Sequence, residues 1–308
     1  MADFFHNSTY YGAATIFRRY ARLPAAVPLP FGWQHGWTRA MHPHDALPDA
    51  VENWMWTAAR AEEFAAAFPE CRFRAAGAPF AYLHKLLGPA RPAMPRGSIF
   101  FPAHSSPNCD TSFDAEQLID RIKALPAEFH PVTMSVYFLD IERGRHLSYV
   151  AAGFPVVANG ISLTDPAFYA NFIAHALPRR FALSNAPTSA LLYTELLGLE
   201  SFYLPQPTQY QNREPLLDIA PLVARMQAEF AAIFSMDRPD RKRAREFAVY
   251  ELGVRHVPSR RAAARLAGRL MLSPRYLARL AGPPARRAEH TARRILGRPK
   301  RWLLGQAS

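Results

Sequence analysis

The sequence predicts an α/β fold in two parts followed by a basic helical tail, and three observations carry that prediction. Between residues 98 and 205, short apolar runs alternate with helix-forming ones every ~10–15 residues, the pattern of parallel strands joined by helices. The stretch GPARPAMPRG at 88–97, rich in Pro and Gly, separates this region from a shorter patterned one before it. Beyond residue 237 the composition turns Arg-rich and broken by Pro. The expected parts are therefore 1–90, an N-terminal α/β lobe; 91–236, a C-terminal α/β lobe; and 237–308, the tail.

In the first part, YYGAATIFRRYAR at 10–22 reads as a short helix closed by Pro24. LPFGWQHGW at 29–37 reads as a buried strand edge running into a loop at Gln34-His35-Gly36. Residues 49–68 have helical composition, with Asp49 placed as cap and Pro69 as stop. CRFRAAG is a short strand ending at Gly77, and APFAYLHKLL opens a helix with Pro79 in its first turn. In the second part SIFFPAHSS, VTMSVYFLD, FPVVANG, RFALSN and SFYLP read as strands. The segments FDAEQLIDRIKALP, RGRHLSYVAAG, DPAFYANFIAHAL and APTSALLYTELLG read as the intervening helices, which implies a parallel sheet covered on both faces. The tail supplies short Arg-rich helices interrupted by Pro258, Pro274, Pro283-Pro284 and Pro299.

The chain of 308 residues is long enough for two modest cores, and 49% hydrophobic with 20% charged residues is ordinary globular composition. Two cysteines, Cys71 and Cys109, without metal-ligand spacing argue against a disulfide scaffold or zinc knuckle. No apolar run approaches the ~18 residues of a membrane span, and the N-terminus lacks a signal-peptide pattern, so a cytoplasmic protein is expected. The net charge of +12 is uneven. Residues 238–308 hold 19 Lys/Arg against four Asp/Glu, a net of +15, which leaves −3 on residues 1–237. Basicity therefore speaks about the tail's partner and not about a site in the body.

In open parallel sheets, ligands sit beyond the C-terminal ends of the strands, and several polar clusters fall there. His104-Ser105-Ser106 follows one strand; Ser184-Asn185 and Thr188-Ser189 follow another and open the next helix. Hydroxyls and backbone N–H groups at a helix start suit a phosphate, although helix capping alone explains such residues equally well. Glu195, in an otherwise apolar helix, is either an acceptor for sugar or ribose hydroxyls or a solvent-facing carboxylate. Gly160 and Asp165 bracket a loop suited to a nucleotide base. His35, beside the permissive Gly36, is a candidate to act as base on an acceptor hydroxyl or to position the sugar, with Asp45 an alternative base. His42-Pro43-His44 reads as a polar surface loop and not as a metal site. Asp140, Glu142, Arg143, Arg145 and His146 read as a solvated charged loop. No metal and no cofactor are expected.

The segments QHGW, AGAPFAYL, SIFFPAHSS, EFHPVTMSVYFLDIERGRHLSYVAAGFPVVANG and SNAPTSALLYTELLGL together resemble GT-B-type glycosyltransferase-like proteins of polysaccharide and O-antigen gene clusters. More distantly, the arrangement is similar to capsule polysaccharide, sialyl- and Kdo transferases. The resemblance spans roughly residues 10–205 and implies two Rossmann-like lobes with a nucleotide-sugar donor held by the second. In those families a His-Pro motif and a later Ser-Ser/Thr motif hold the nucleotide phosphate. His104 and Ser105 stand at the first position, and Ser184, Thr188 and Ser189 at the second. His104 is followed by Ser105 where the motif has Pro, and the literal His130-Pro131 pair precedes a strand.

The resemblance implies a metal-independent transferase acting on a glycan or lipid-linked acceptor. A catalytically inactive nucleotide-sugar-binding relative and a basic nucleic-acid-binding protein are the alternatives. Nucleic acid is the less favoured partner, because no nucleic-acid motif or stacking pattern is present. An epimerase needs paired acid/base carboxylates, and no such pair is evident. The tail fits an anionic inner-membrane surface, with Arg meeting headgroups while Leu, Ile and Trp302 enter the interface; RRILGRPKRWLL is its best segment.

Overall fold

Strands of three or four residues cannot bury their apolar faces alone, and here they pair into two parallel sheets. The computed structural model describes residues 3–107, 109–212 and 220–281. It begins with a kinked 3-10 stretch, His6–Gly12, and helix α1 (Ala13–Ala21). Strands β1 (Phe31–Trp33), β2 (Glu52–Met55) and β3 (Phe73–Ala75) then form a three-stranded sheet in the order β1-β2-β3, joined through α2 (Ala58–Ala67) and followed by α3 (Pro79–Leu87).

The helix expected over 49–68 is half strand. Glu52–Met55 is β2, and α2 begins only after Thr57, whose hydroxyl caps the Arg60 N–H. Trp54 stacks face to face on Phe31 with ring centroids 3.5 Å apart, and Trp54, Met55 and Trp56 are essentially buried. Burying three large side chains between neighbouring strands outweighs the helical propensity of the Ala/Glu-rich residues that follow.

The second sheet comprises β4 (Ser98–Phe101), β6 (Val132–Ser135), β7 (Val156–Val157), β8 (Phe181–Ser184) and β9 (Glu200–Tyr203), all parallel in the order β7-β6-β4-β8-β9. Its connections are α4 (Ala115–Lys123), α5 (Phe138–Glu142), α6 (Leu147–Ala151), α7 (Phe168–Ala176) and α8 (Ser189–Leu196). Asp114 caps α4 by accepting the Gln117 N–H, as its position in the sequence suggests. The expected strand VTMSVYFLD stops at Ser135, and its last residues enter α5. Two strands absent from the sequence prediction, β5 (Cys109–Ser112) and β10 (Gln209–Asn212), form a separate antiparallel pair.

The chain fills the second sheet outward from β4 to one edge and then crosses back to β8. Loops leaving β4 and β8 thus diverge at a topological switch point, the place where such sheets take ligands. Alternation along β4 divides two cores: Ile99 and Phe101 join one, Phe100 the other.

The C-terminal segment is not a separate appendage over its described length. After α9 (Ala220–Ile233), helices α10 (Arg241–Glu251), α11 (Arg260–Met271) and α12 (Pro274–Ala281) pack into the body. Ala248, Leu252, Ala263 and Ala267 are fully buried in the same core as Phe17, Trp54, Phe80 and Tyr193. Tyr20 and Tyr276 donate hydroxyl hydrogen bonds to the Pro258 and Pro28 carbonyls, at 2.7 and 2.9 Å. Small alanines on one face let these Arg-rich helices approach closely, while Arg245 and Arg260 donate to the Glu195 and Tyr20 carbonyls of the body. The segment RRILGRPKRWLL and Trp302 lie outside the described residues. Among the described residues, no helix is long and apolar enough to cross a membrane.

Candidate functional site

Four strand ends of the second sheet converge on one crevice. His104 arrives from the loop after β4, Ser135 and Tyr137 from β6, Asn159 and Gly160 from the loop after β7, and Thr188 and Ser189 from the start of α8. Tyr11 closes the crevice from the N-terminal stretch, while Phe101, Phe168, Phe172 and Tyr193 form apolar walls. The space is about 80 Å³, room for several waters or one phosphoryl-sized group.

His104 is exposed, and its ring lies against Tyr137 with centroids 4.4 Å apart. Its Nδ1 is 3.0 Å from the Ser105 carbonyl, which can only accept, so Nδ1 carries the proton in that hydrogen bond. Nε2 then meets a phosphate as a donor only in the imidazolium form. The Tyr137 and Tyr11 hydroxyls stand 3.5 Å apart. Burial pushes the pKa of both up, so both are protonated donors at neutral pH. Thr188 caps α8 by accepting the Ala190 N–H, which aims the first turn of that helix at the crevice.

The other second-sheet candidates hold the crevice together without facing it. The Ser184 hydroxyl, fully buried, donates to the Ala186 carbonyl and accepts the Ala186 N–H, at 2.8 and 3.1 Å. Asn185, also fully buried, accepts the Ala103 N–H at 2.7 Å and donates to Gln206, which fastens the loop after β4 to the loop after β8. The Ser105 hydroxyl accepts from Thr111 N–H and Arg145, and Ser106 forms a bridge with Cys109. Asp165 accepts from Ile161 and Ala167 N–H and shapes its own loop, of which Asn159 and Gly160 reach the crevice while Asp165 does not line it.

Two expectations change more sharply. Glu195 neither faces solvent nor approaches the crevice. It is 5% exposed and accepts the Ser201 N–H at 3.0 Å at the opposite, N-terminal end of the strands. Burial raises its pKa to about 7, against the lowering effect of Ser201, Arg241 and Arg245. The charged loop after β6 is also not simply solvated. Asp140 is buried, pairs with Arg145 at 3.0 Å and accepts the Ser105 N–H. His130-Pro131 precedes β6, at the end of the sheet away from the crevice.

His35 and Asp45 occupy a second site, at the end of β1. Gln34 ends that strand by accepting the Trp56 N–H at 3.0 Å, and Trp37 and Arg39 bond Glu251 of α10 at 2.6 and 2.9 Å. The loop between these anchors is thereby held in place. Asp45 is 1% exposed and grips His35 twice, at Nδ1 (2.8 Å) and at the backbone N–H (3.1 Å). Burial alone would raise the Asp45 carboxyl, but the charge and hydrogen bonds of His35, with help from His44, hold it below its usual range. Asp45 is thus too enclosed to act on an acceptor itself. It orients His35, whose side chain is 27% exposed.

The loop read as polar surface, His42-Pro43-His44, instead folds its imidazoles against His35. Ring centroids are 5.1 Å away for His42 and 4.4 Å for His44. Burial, reinforced by the charge of His35, lowers His44 to about 4. The stretch His6–Gly12 touches both sites. Asn7 donates to the His44 carbonyl at 3.2 Å, while the Tyr11 N–H donates to the Leu163 carbonyl at 2.7 Å. Tyr11 holds left-handed backbone geometry at φ 53°, strain of the kind found at functional sites.

Tyr11, Tyr137, Ser135 and Asn159 were not singled out from sequence. The signal available was that Tyr137 and Asn159 follow apolar runs just as His104 does. Comparison with protein-family models, with curated proteins and with solved structures finds no match in any of the three.

Proposed function

We propose that the chain is a glycosyltransferase of GT-B-like, two-lobed design that grips the phosphate of a nucleotide-sugar in the crevice and approaches its acceptor from the His35 side. The observation that supports this best is the convergence of His104, Tyr137 and the N-terminus of α8 at the switch point of a parallel sheet. The aromatic walls suit a sugar or base face, and the hydroxyl donors suit phosphate oxygens. Among the described residues no Lys or Arg lines the crevice, and the α8 terminus and an imidazolium at His104 would carry the charge stabilisation.

In this scheme the acceptor hydroxyl gives its proton to His35 Nε2 while Asp45 holds the opposite ring nitrogen. The acceptor oxygen bonds the anomeric carbon as the bond from that carbon to the phosphate oxygen breaks, and the leaving phosphate keeps the electron pair. The acceptor is a cell-surface glycan or lipid-linked sugar. Arg269, Leu272, Arg275 and Leu277, all exposed around the turn between α11 and α12, offer basic and apolar side chains to an anionic lipid surface, where a cytoplasmic enzyme would meet such an acceptor.

Calorimetry with a panel of nucleoside mono- and diphosphates and nucleotide-sugars tests the reading. Binding of one nucleotide class, weakened about tenfold in His104→Ala, is the expected result. Silence across the whole panel would overturn it; binding without transfer to any acceptor would mark a relative that has kept the donor site alone. Co-sedimentation with anionic but not zwitterionic vesicles, lost in Leu272→Asp, is expected for the lipid-facing surface.

A further inference from the structure

We propose that His35, His44 and Asp45 form a binding site for one divalent transition-metal ion of the zinc type, although the sequence led us to expect none. The argument is geometric. One ligand atom from each residue falls within a single cluster in which all lie within 4.8 Å of one another. His35 Nδ1 is 2.8 Å from Asp45 Oδ2 and 3.1 Å from His44 Nε2. A tetrahedral ion with bonds of ~2.0–2.1 Å holds its ligand atoms ~3.3 Å apart. The two separations at His35 Nδ1 therefore need to open by only a few tenths of an ångström, and the Asp45–His44 pair, within 4.8 Å, adjusts by side-chain rotation to close around an ion.

The hydrogen-bond chemistry points the same way. His35 Nδ1 has one proton at most, yet it faces a carboxylate oxygen on one side and a second imidazole nitrogen on the other. A cation accepting a lone pair from each of the three atoms satisfies them together. Two nitrogens and one oxygen suit Zn²⁺, Co²⁺ or Ni²⁺ and not the all-oxygen preference of Mg²⁺ or Ca²⁺.

The supporting shell is in place. Asp45 Oδ1 is fixed by the His35 N–H at 3.1 Å, and Asn7 steadies the His44 backbone. His35, 27% exposed, leaves an entry path, and the fourth position falls to water or an exchangeable ligand. Binding does not depend on glycosyl transfer. If the transferase reading is right, an ion on Nδ1 would leave His35 with its proton on Nε2 and so remove the base, making metal and base alternative states.

The test uses full-length protein stripped with chelator and titrated with Co²⁺ and then Zn²⁺. One equivalent of Co²⁺ should produce the intense visible absorption of a tetrahedral ion, displaced by Zn²⁺. His44→Ala and His35→Ala should each weaken binding about 100-fold or more, with circular dichroism unchanged. Because Asp45→Asn risks the fold, the two histidine variants carry the test. No absorption and no heat in the wild-type protein overturns the proposal, and so does undiminished binding in both variants, which would place the ion elsewhere. Failure here with nucleotide binding intact leaves the transferase reading standing; the reverse outcome separates them equally cleanly.

Discussion

The two parallel sheets place polar residues beyond their strand ends in the same way, yet they reach that state by opposite routes. The five-stranded sheet is built from contiguous chain between Ser98 and Tyr203, and one of its faces has a core of its own around Phe100, Leu118, Met134 and Leu183. The three-stranded sheet is completed by α10–α12 from the far end of the chain. The chemistry differs to match. The larger sheet presents hydroxyls, aromatic rings and one exposed histidine; the smaller one presents three imidazoles clustered at a buried carboxylate. Strand ends thus fix where a site lies, and what is buried beside them fixes what it can do.

The sharpest way to break this comparison is Gly253→Ala. Gly253 has φ +57°, and a Cβ there would fall 1.7 Å from the Trp56 carbonyl oxygen, which already accepts the Gly77 N–H. A loss of about 4 kcal/mol or more is expected by urea denaturation, with the near-ultraviolet tryptophan signal of the small sheet collapsing first. If the mutant is as stable as the parent, the dependence of the small sheet on the distal helices is refuted.

Glu195→Gln has the opposite sign. Glu195 is raised from 4.5 to about 7 in the fold, so the folded state holds a proton that the unfolded state releases between those values. Stability is lost as pH rises through that window and falls no further above it, at a cost of up to about 3 kcal/mol. The glutamine variant should therefore gain stability at pH 8 and gain nothing at pH 4; a gain independent of pH would contradict the assignment.

Next in size, His35→Ala should cut turnover about 100-fold, near 2.7 kcal/mol, while leaving nucleotide affinity unchanged. His104→Ala should instead weaken nucleotide binding. Interchanged effects would reverse the roles given to the two sheets. The smallest effect is Asn185→Ala, expected to cost about 2 kcal/mol because the buried Ala103 N–H loses its acceptor. Thermal unfolding measures it, and a neutral result would mean that the two loops of the crevice are held by something else.

The alternating strands and helices of the second sheet were legible because apolar runs such as SIFF and FALS are bounded by polar residues, and α4 carries its own cap. β2 was not, because its tryptophans are stabilised by Phe31 from a distant segment and continue directly into an Ala-rich helix. At the crevice, His104, Gly160, Thr188 and Ser189 were placed by strand-end logic. Ser184 and Asn185 obeyed the same logic but turn inward, since composition does not reveal whether a polar group is satisfied by its neighbours. Tyr11 and Tyr137 fall inside segments read as a helix and a strand, where nothing local marks them as facing a site. The histidine cluster depended on how Pro43 and the loop around it fold back, which no local pattern encodes.

The close approach of Gly253 to Trp56 also sets an order of assembly. On the ribosome the small sheet emerges well before α10–α12, which seal its tryptophan-rich side. The larger sheet, whose strands are close together in sequence, can finish ahead of it. Synthesis and completion thus run in opposite orders for the two sheets, and the small sheet must wait, incompletely covered, for helices that follow the larger one.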